Sequence, residues 1–381
     1  MTAITSPATF CWKGGVKCSQ RLSKAGGGSA VLQALPPLEV NFGLPSAHRR
    51  GIGKACHSLP VMPKRLDIRL IAPSGYADDP SASQRGIERL QAAGHTIHGA
   101  SVVDRVSLRF GGSDAERADD INRLADQDTP RPHMVMATCG GYGAISLLDS
   151  LDYAGLSARF AEQPCVFVGH GDFTVIQSAL YARSGLASLH GPMLVQDFGA
   201  GYLREDTWRH FWQTVVSPRM EVSWTCHDPA HDLMVEGTLW GGNLSALCSL
   251  IGTPYLPRID GGILYLEDTG EQAYRIERML FELKLGRVLE GQRAIIIGGL
   301  GGQRVSEYDN GYDIEHALDR FAAVCGLPII RGLTFGHGPE KLTLPFGAPA
   351  VLETGNGTAS LTAYGYPHLG NSGTASHIAL P

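Results

Sequence analysis

From Arg65 onward, apolar and polar positions fall into blocks of two kinds. Short apolar runs end in turns rich in glycine or proline, and a longer stretch with apolar residues at helical spacing follows each run. Leu66–Ala72 predicts a strand, Pro73-Ser74-Gly75 its turn, and Ser81–Ala93 a helix with Ile87, Leu90 and Ala93 on one side. The alternation continues with a helix at Asp114–Ala125, a strand at His133–Thr138, a helix at Ala144–Leu151, a short buried strand at Cys165–Val168 and a helix at Phe173–Arg183. Strand and helix in turn imply parallel strands with helices on both faces, a doubly wound α/β sheet. Ligands of such sheets sit at the carboxyl ends of the strands.

The stretch from about Gly199 to His231 is rich in Trp, His and charge and shows no clear periodicity, so it reads as the connection to a second domain. That domain starts afresh near Met234, with strands at Ile263–Leu266, Ala294–Ile297 and Pro328–Ile330 and helices at Gln272–Leu285 and Asp313–Cys325. Short β elements separated by glycines fill Leu342–Tyr364. The expected organisation is an extension over residues 1–61, an α/β domain over 62–198, a connection over 199–233 and a second α/β domain over 234–381.

Charge separates the extension from the rest. The first 61 residues hold seven basic residues and one acid, Glu39, for +6; with a total of -5, the remainder carries -11. An acidic body argues against a nucleic-acid partner, whose phosphates call for Lys and Arg. The basic segment has no continuous apolar stretch after its first charges, unlike a secretory signal. Its Gly/Ser/Pro content predicts either a disordered extension or a reading frame whose true start is Met62. The 381 residues are 43% hydrophobic and 18% charged, the balance of a folded α/β protein, and no apolar run approaches the roughly 20 residues that span a bilayer, so no membrane association is expected.

The eight cysteines are scattered, with no C-x-x-C pair and no Cys/His spacing suited to zinc, which predicts isolated thiols in a reducing compartment and no metal or cofactor. H-E-x-x-H and G-x-x-x-x-G-K-[ST] are absent, which excludes the commonest metalloprotease and P-loop readings.

Three strand ends can carry chemistry. Cys139-Gly140-Gly141-Tyr142-Gly143 follows a strand and precedes a helix, so its backbone N–H groups can face an anion or a developing oxyanion; the plainer reading is a tight turn. Val168-Gly169-His170-Gly171-Asp172-Phe173-Thr174 has the form of a nucleophile elbow with glycine at its centre. His170 beside it reads as a base or as a hydrogen-bonded structural residue. In the second half, Leu266-Glu267-Asp268 ends a strand and Phe335-Gly336-His337-Gly338 sets a histidine among glycines. Glu267 and His337 could be a base and its orienting partner, or two solvated loop residues.

These segments, together with Ile71-Ala72-Pro73-Ser74-Gly75, His190-Gly191-Pro192-Met193, Glu236-Gly237-Thr238-Leu239-Trp240-Gly241-Gly242-Asn243-Leu244 and Arg275-Ile276-Glu277-Arg278-Met279-Leu280, stand in the order found in the LD-carboxypeptidases. From about Ile68 to about Pro367 the chain resembles this family of serine peptidases, which includes muramoyl-tetrapeptide carboxypeptidase and the microcin C self-immunity peptidases. The resemblance implies a cytoplasmic two-domain homodimer. It also implies a nucleophile at position 171, a Glu–His pair at Glu267 and His337, and oxyanion donors at Asp172 and at Gly140 or Gly141. The implied reaction releases the terminal D-alanine from murein tetrapeptide.

Two positions depart from the family pattern. Gly171 stands where the family has its serine, so the hydroxyl to be acylated is missing. Cys139 and Ser146 stand at or near positions where the family has Arg, and neither can fork onto a substrate carboxylate. The expectation is an impaired LD-carboxypeptidase. The alternatives are a non-catalytic muropeptide-binding protein and a peptidase of the microcin-immunity kind.

Overall fold

The structure, a computed structural model, describes residues 65–226, 232–303 and 306–370. The extension expected over 1–61 and the possible start at Met62 lie outside the described residues. The described residues belong to one unit of the chain, Ser58–Pro381.

Five short strands come first: β1 (Asp67–Ile71), β2 (Thr96–His98), β3 (Met134–Ala137), β4 (Val166–Gly169) and β5 (Ser188–His190). Between them run α1 (Pro80–Ala92), α2 (Asp114–Asn122), α3 (Tyr153–Phe160) and α4 (Thr174–Ser184). β1 to β5 pair in parallel, as the alternating pattern predicts, in the order β5-β4-β3-β1-β2, with β2 at the edge. β3 and β4 are buried at every residue, because helices cover both faces. Ala144–Ser150, expected to be a helix, forms 3₁₀ turns instead.

The segment expected to be an aperiodic connection contains α5 (Glu205–Val216) and β6 (Arg219–Thr225). Thr207, Phe211, Trp212 and Val215 are buried along one face of α5, a helical spacing hidden by the Trp and His content. β6 is the edge of a second sheet built with β7 (Leu233–Asn243), β8 (Ile263–Thr269), β9 (Ala294–Gly301), β10 (Ile329–Arg331), β12 (Ala348–Gly355) and β13 (Thr358–Tyr364). The remaining strand, β11 (Leu344–Phe346), crosses to the first sheet and pairs antiparallel with β5. Helices α6 (Leu244–Ser249), α7 (Ala273–Leu285) and α8 (Ile314–Cys325) pack on the second sheet.

β7, β8, β9 and β10 run parallel, while β12, β13 and β6 add an antiparallel wing. Apolar residues of one face of the first sheet, such as Ile68, Met134 and Val166, join those of α5 and the second sheet in a single core. This continuity holds the carboxyl ends of β4 and β8 in one place. Among the described residues, no helix is long and apolar enough to cross a membrane.

Candidate active site

β4 ends at Gly169, and the chain turns through Gly171–Phe173, a 3₁₀ turn, directly into α4. Gly171 is buried and has φ +62, the left-handed region in which a side chain is strained and glycine is not. A strand entering a helix through a left-handed residue is the geometry of a nucleophile elbow. A Cβ placed on Gly171 would lie 3.1 Å from His337 Nε2 and 3.4 Å from His337 Cε1. A side chain at position 171 would therefore point at the imidazole.

His337 comes from the other sheet, on the loop between β10 and β11. Its Nδ1 lies 2.7 Å from Glu267 Oε2. Glu267, in β8, is fully buried, and its other oxygen accepts from Asn243 Nδ2 at 3.2 Å. The β8–β9 register shifts between Leu266 and Asp268, an irregularity centred on Glu267, and such bulges re-aim side chains at sites of this kind. Burial disfavours a charged His337, but the hydrogen bond and negative charge of Glu267 outweigh burial and leave its pKa above the ordinary histidine value. With Nδ1 facing a carboxylate, Nε2 is the nitrogen free to take a proton from position 171.

The glycine turn faces the elbow. A Cβ on Gly140 would lie 3.8 Å from the backbone nitrogen of Asp172 and 3.6 Å from the His170 carbonyl oxygen. Gly141 and Gly143 both have positive φ, and a Cβ at Gly143 would meet Phe110 at 2.6 Å and Arg117 Nη1 at 2.9 Å. The fully buried Arg117 donates to the carbonyl oxygens of Pro73, at 2.6 Å, and Gly143, at 2.9 Å, and so holds the turn from behind. The Asp172 carboxylate accepts from the Ala144 N–H at 2.8 Å and ties the elbow to the end of the glycine turn. Burial raises the pKa of Asp172.

A cleft of about 530 Å³ opens over this assembly, large enough for a short peptide. Gly140, Gly141, Gly171, Asp172 and His337 line it, and Glu267 stands behind His337. The structure thus gathers all six residues singled out in the sequence, from four separate segments of the chain. Ser245, Asp268 and Glu271 form the wall on the side of the second sheet.

Among the described residues, neither Cys139 nor Ser146 is placed as a substitute nucleophile at the elbow. Cys139 is buried, its Sγ lies 3.1 Å from the Gly75 carbonyl oxygen, and burial pushes its thiol pKa up to about 11, so it stays protonated at neutral pH. Ser146 is engaged with the Gly143 carbonyl oxygen and with Arg117.

Sequence reasoning assigned no role to Asn243, Arg117, Asp197 or Lys341. Asn243 caps α6 through Ala246 N–H at 3.0 Å, steadies Glu267 and donates its own N–H to Thr174 Oγ1 at 3.1 Å, joining β7 to the first turn of α4. An Asn directly before the apolar run Leu244–Leu247 is a legible cap signal. Buried Arg117, Asp197 and Lys341 leave no such local mark, since the contacts that matter here, Arg117 to Pro73 and Gly143 and Lys341 to Asp197 and His170, join distant parts of the chain.

Comparison with known proteins agrees with this geometry. The LD-carboxypeptidase N-terminal domain matches residues 68–191 and the LD-carboxypeptidase C-terminal domain matches residues 236–352. The solved structure of muramoyltetrapeptide carboxypeptidase from Oxalobacter formigenes is 40% identical, with a TM-score of 0.73 over 79% of this chain and 99% of that one. Murein tetrapeptide carboxypeptidase of Pseudomonas aeruginosa is 32% identical over 298 residues, covering 75% of this chain and 92% of its own. The microcin C7 self-immunity protein of Escherichia coli is 27% identical over 312 residues, covering 73% and 87% respectively.

Proposed function

Because the chain belongs to the LD-carboxypeptidase family, a lineage of serine-type carboxypeptidases, we propose that its cleft takes murein tetrapeptide and is shaped for release of the terminal D-alanine, a reaction that glycine at position 171 impairs. The observation that carries this reading is the 3.1 Å from a Cβ at position 171 to His337 Nε2, in a turn already left-handed.

With serine at 171, the hydroxyl oxygen attacks the carbonyl carbon of the bond to D-alanine while its proton passes to His337 Nε2. Glu267 orients the ring and balances its charge. The tetrahedral oxyanion accepts hydrogen bonds from backbone N–H groups of Asp172 and of Gly140 or Gly141. The imidazolium then protonates the D-alanine nitrogen as the C–N bond breaks, and water, deprotonated by His337, releases the acyl group from the serine.

Glycine removes the first of these steps and leaves the rest of the site in place. The unaltered chain then binds muropeptide with hydrolysis lost or greatly slowed, and Gly171 is the observation that favours a non-catalytic binding role. Likeness to the microcin self-immunity protein supports a related family, and no feature of the cleft favours its chemistry here. A cytoplasmic setting and a homodimer belong to the same proposal. D-alanine release from murein tetrapeptide, measured for the unaltered chain beside Gly171→Ser, tests it: release confined to the serine variant supports the reading, and release by neither contradicts it.

A further inference from the structure

Beside the Glu267–His337 pair, the cleft holds a second set of buried charges that the proposed reaction does not use. Lys341, 7% exposed, places Nζ 2.6 Å from Asp197 Oδ1 and 3.2 Å from His170 Nε2. His170 Nε2 also lies 3.5 Å from Asp197 Oδ2, so the imidazole sits between the ammonium and the carboxylate. Burial, then the charge of Lys341, holds His170 neutral by lowering its pKa. Asp197 also accepts from the Met193 N–H at 2.8 Å. Burial opposes the charge on Asp197, yet the bond to His170 and the charge of Lys341 hold its pKa below the usual carboxylate range.

The origins of these groups in the chain give them a shared consequence. Lys341 lies four residues beyond His337 on the loop that the Leu342 N–H closes onto the Thr334 carbonyl oxygen at 3.0 Å. Asp197 belongs to Leu194–Phe198, a single π-helical turn after β5, and His170 immediately precedes Gly171. The Lys341 backbone N–H donates to Thr207 Oγ1 at 3.0 Å, and the His170 ring meets the His337 ring edge-on, with centroids 5.0 Å apart. One ammonium therefore joins the loop carrying the imidazole to both segments that flank the elbow.

We propose that Lys341 is a positioning residue whose ion pair with Asp197, extended to His170, sets the distance between the His337 ring and position 171. The proposal rests on the reading of this cleft as carboxypeptidase machinery. A buried ion pair suits the task because it fixes one arrangement, where an apolar contact would let the loop slide. Misplacing a reacting group by about 1 Å can cost on the order of 10²-fold in rate.

The test uses Lys341→Met/Asp197→Asn, which strands no buried charge, and Lys341→Arg, both in the Gly171→Ser chain. The expected result is a fall of about 10²-fold in kcat for D-alanine release with KM held within about twofold for the neutral pair, and partial recovery in the arginine variant. A raised KM with kcat unchanged would make Lys341 a substrate ligand and overturn the proposal, as would a loss of thermal stability with kcat and KM both unchanged.

Amide hydrogen exchange over residues 335–341 in the chain with Gly171 needs no turnover. There the neutral pair is expected to exchange about tenfold faster or more, and unchanged exchange overturns the positioning role. If Gly171→Ser releases no D-alanine while exchange still accelerates, the carboxypeptidase reading fails and the loop anchor stands.

Discussion

Replacing Gly171 with serine pits a stability cost against a gain in chemistry, and the structure sets the size of each. At φ +62 a serine sits in the left-handed region at a cost of about 1–2 kcal/mol. Its Cβ, 3.1 Å from His337 Nε2, is tighter than an ordinary contact, so the ring must move by a few tenths of an ångström. The ring can do so because it is 32% exposed, although Glu267 holds Nδ1. For a domain of this size the strain should lower Tm by about 2–5 °C.

Against this stands the nucleophile. Loss of the serine from an assembled triad costs about 10⁶ in kcat, or about 8 kcal/mol of transition-state stabilisation. Restoring it should raise D-alanine release by up to that factor, and in any case by several orders of magnitude. Gly171→Ala carries the same strain and no hydroxyl, so it should lose the same stability and gain no activity. D-alanine released from murein tetrapeptide, measured for all three chains alongside thermal denaturation, reads both effects. A folded serine variant no faster than the alanine one would refute the assignment of position 171.

Four further outcomes follow from the same geometry. In the Gly171→Ser chain, kcat/KM should rise with pH through a midpoint above about 6.5, because the base must be neutral and Glu267 holds the His337 pKa up; a midpoint below 6.5 would contradict the pairing. Stability runs the other way: the contribution of protonated His337 is complete below about 6.5 and is lost as pH rises through its raised folded value. Glu267→Gln in that chain should lower the midpoint and cut kcat by about 10³–10⁴, and an unchanged profile would remove Glu267 from the site. Arg117→Met should cost about 2 kcal/mol by leaving the buried Pro73 carbonyl oxygen without its donor and the Gly143 carbonyl oxygen to Ser146, and urea denaturation showing less than about 1 kcal/mol would mean that the glycine turn stands without it.

The alternating pattern made the first sheet legible because its strands are buried on both faces and read as apolar runs, as at Met134–Ala137 and Val166–Gly169. α5 escaped notice because its buried face is made of Thr207, Phe211 and Trp212 among charged neighbours, and composition masked the spacing. The crossing of β11 to the first sheet could not be read from three residues, since strand partnership is decided by tertiary packing. At the site, glycine-crowded strand ends were visible because backbone geometry needs glycine there. Glu267 and His337 were visible as strand-end residues, but their 2.7 Å contact joins positions 70 apart in the chain. Lys341 and Asp197 are farther apart still, and neither stands in a motif.

The central claim is that the cleft of the unaltered chain remains a muropeptide site from which only the nucleophile is missing. Calorimetric titration of the full chain with murein tetrapeptide, with D-alanine measured in the same samples, tests it most directly. Saturable binding with D-alanine release at or near background is the predicted result. Absence of binding would contradict the claim, and so would turnover of the tetrapeptide at a rate comparable to that of the Gly171→Ser chain.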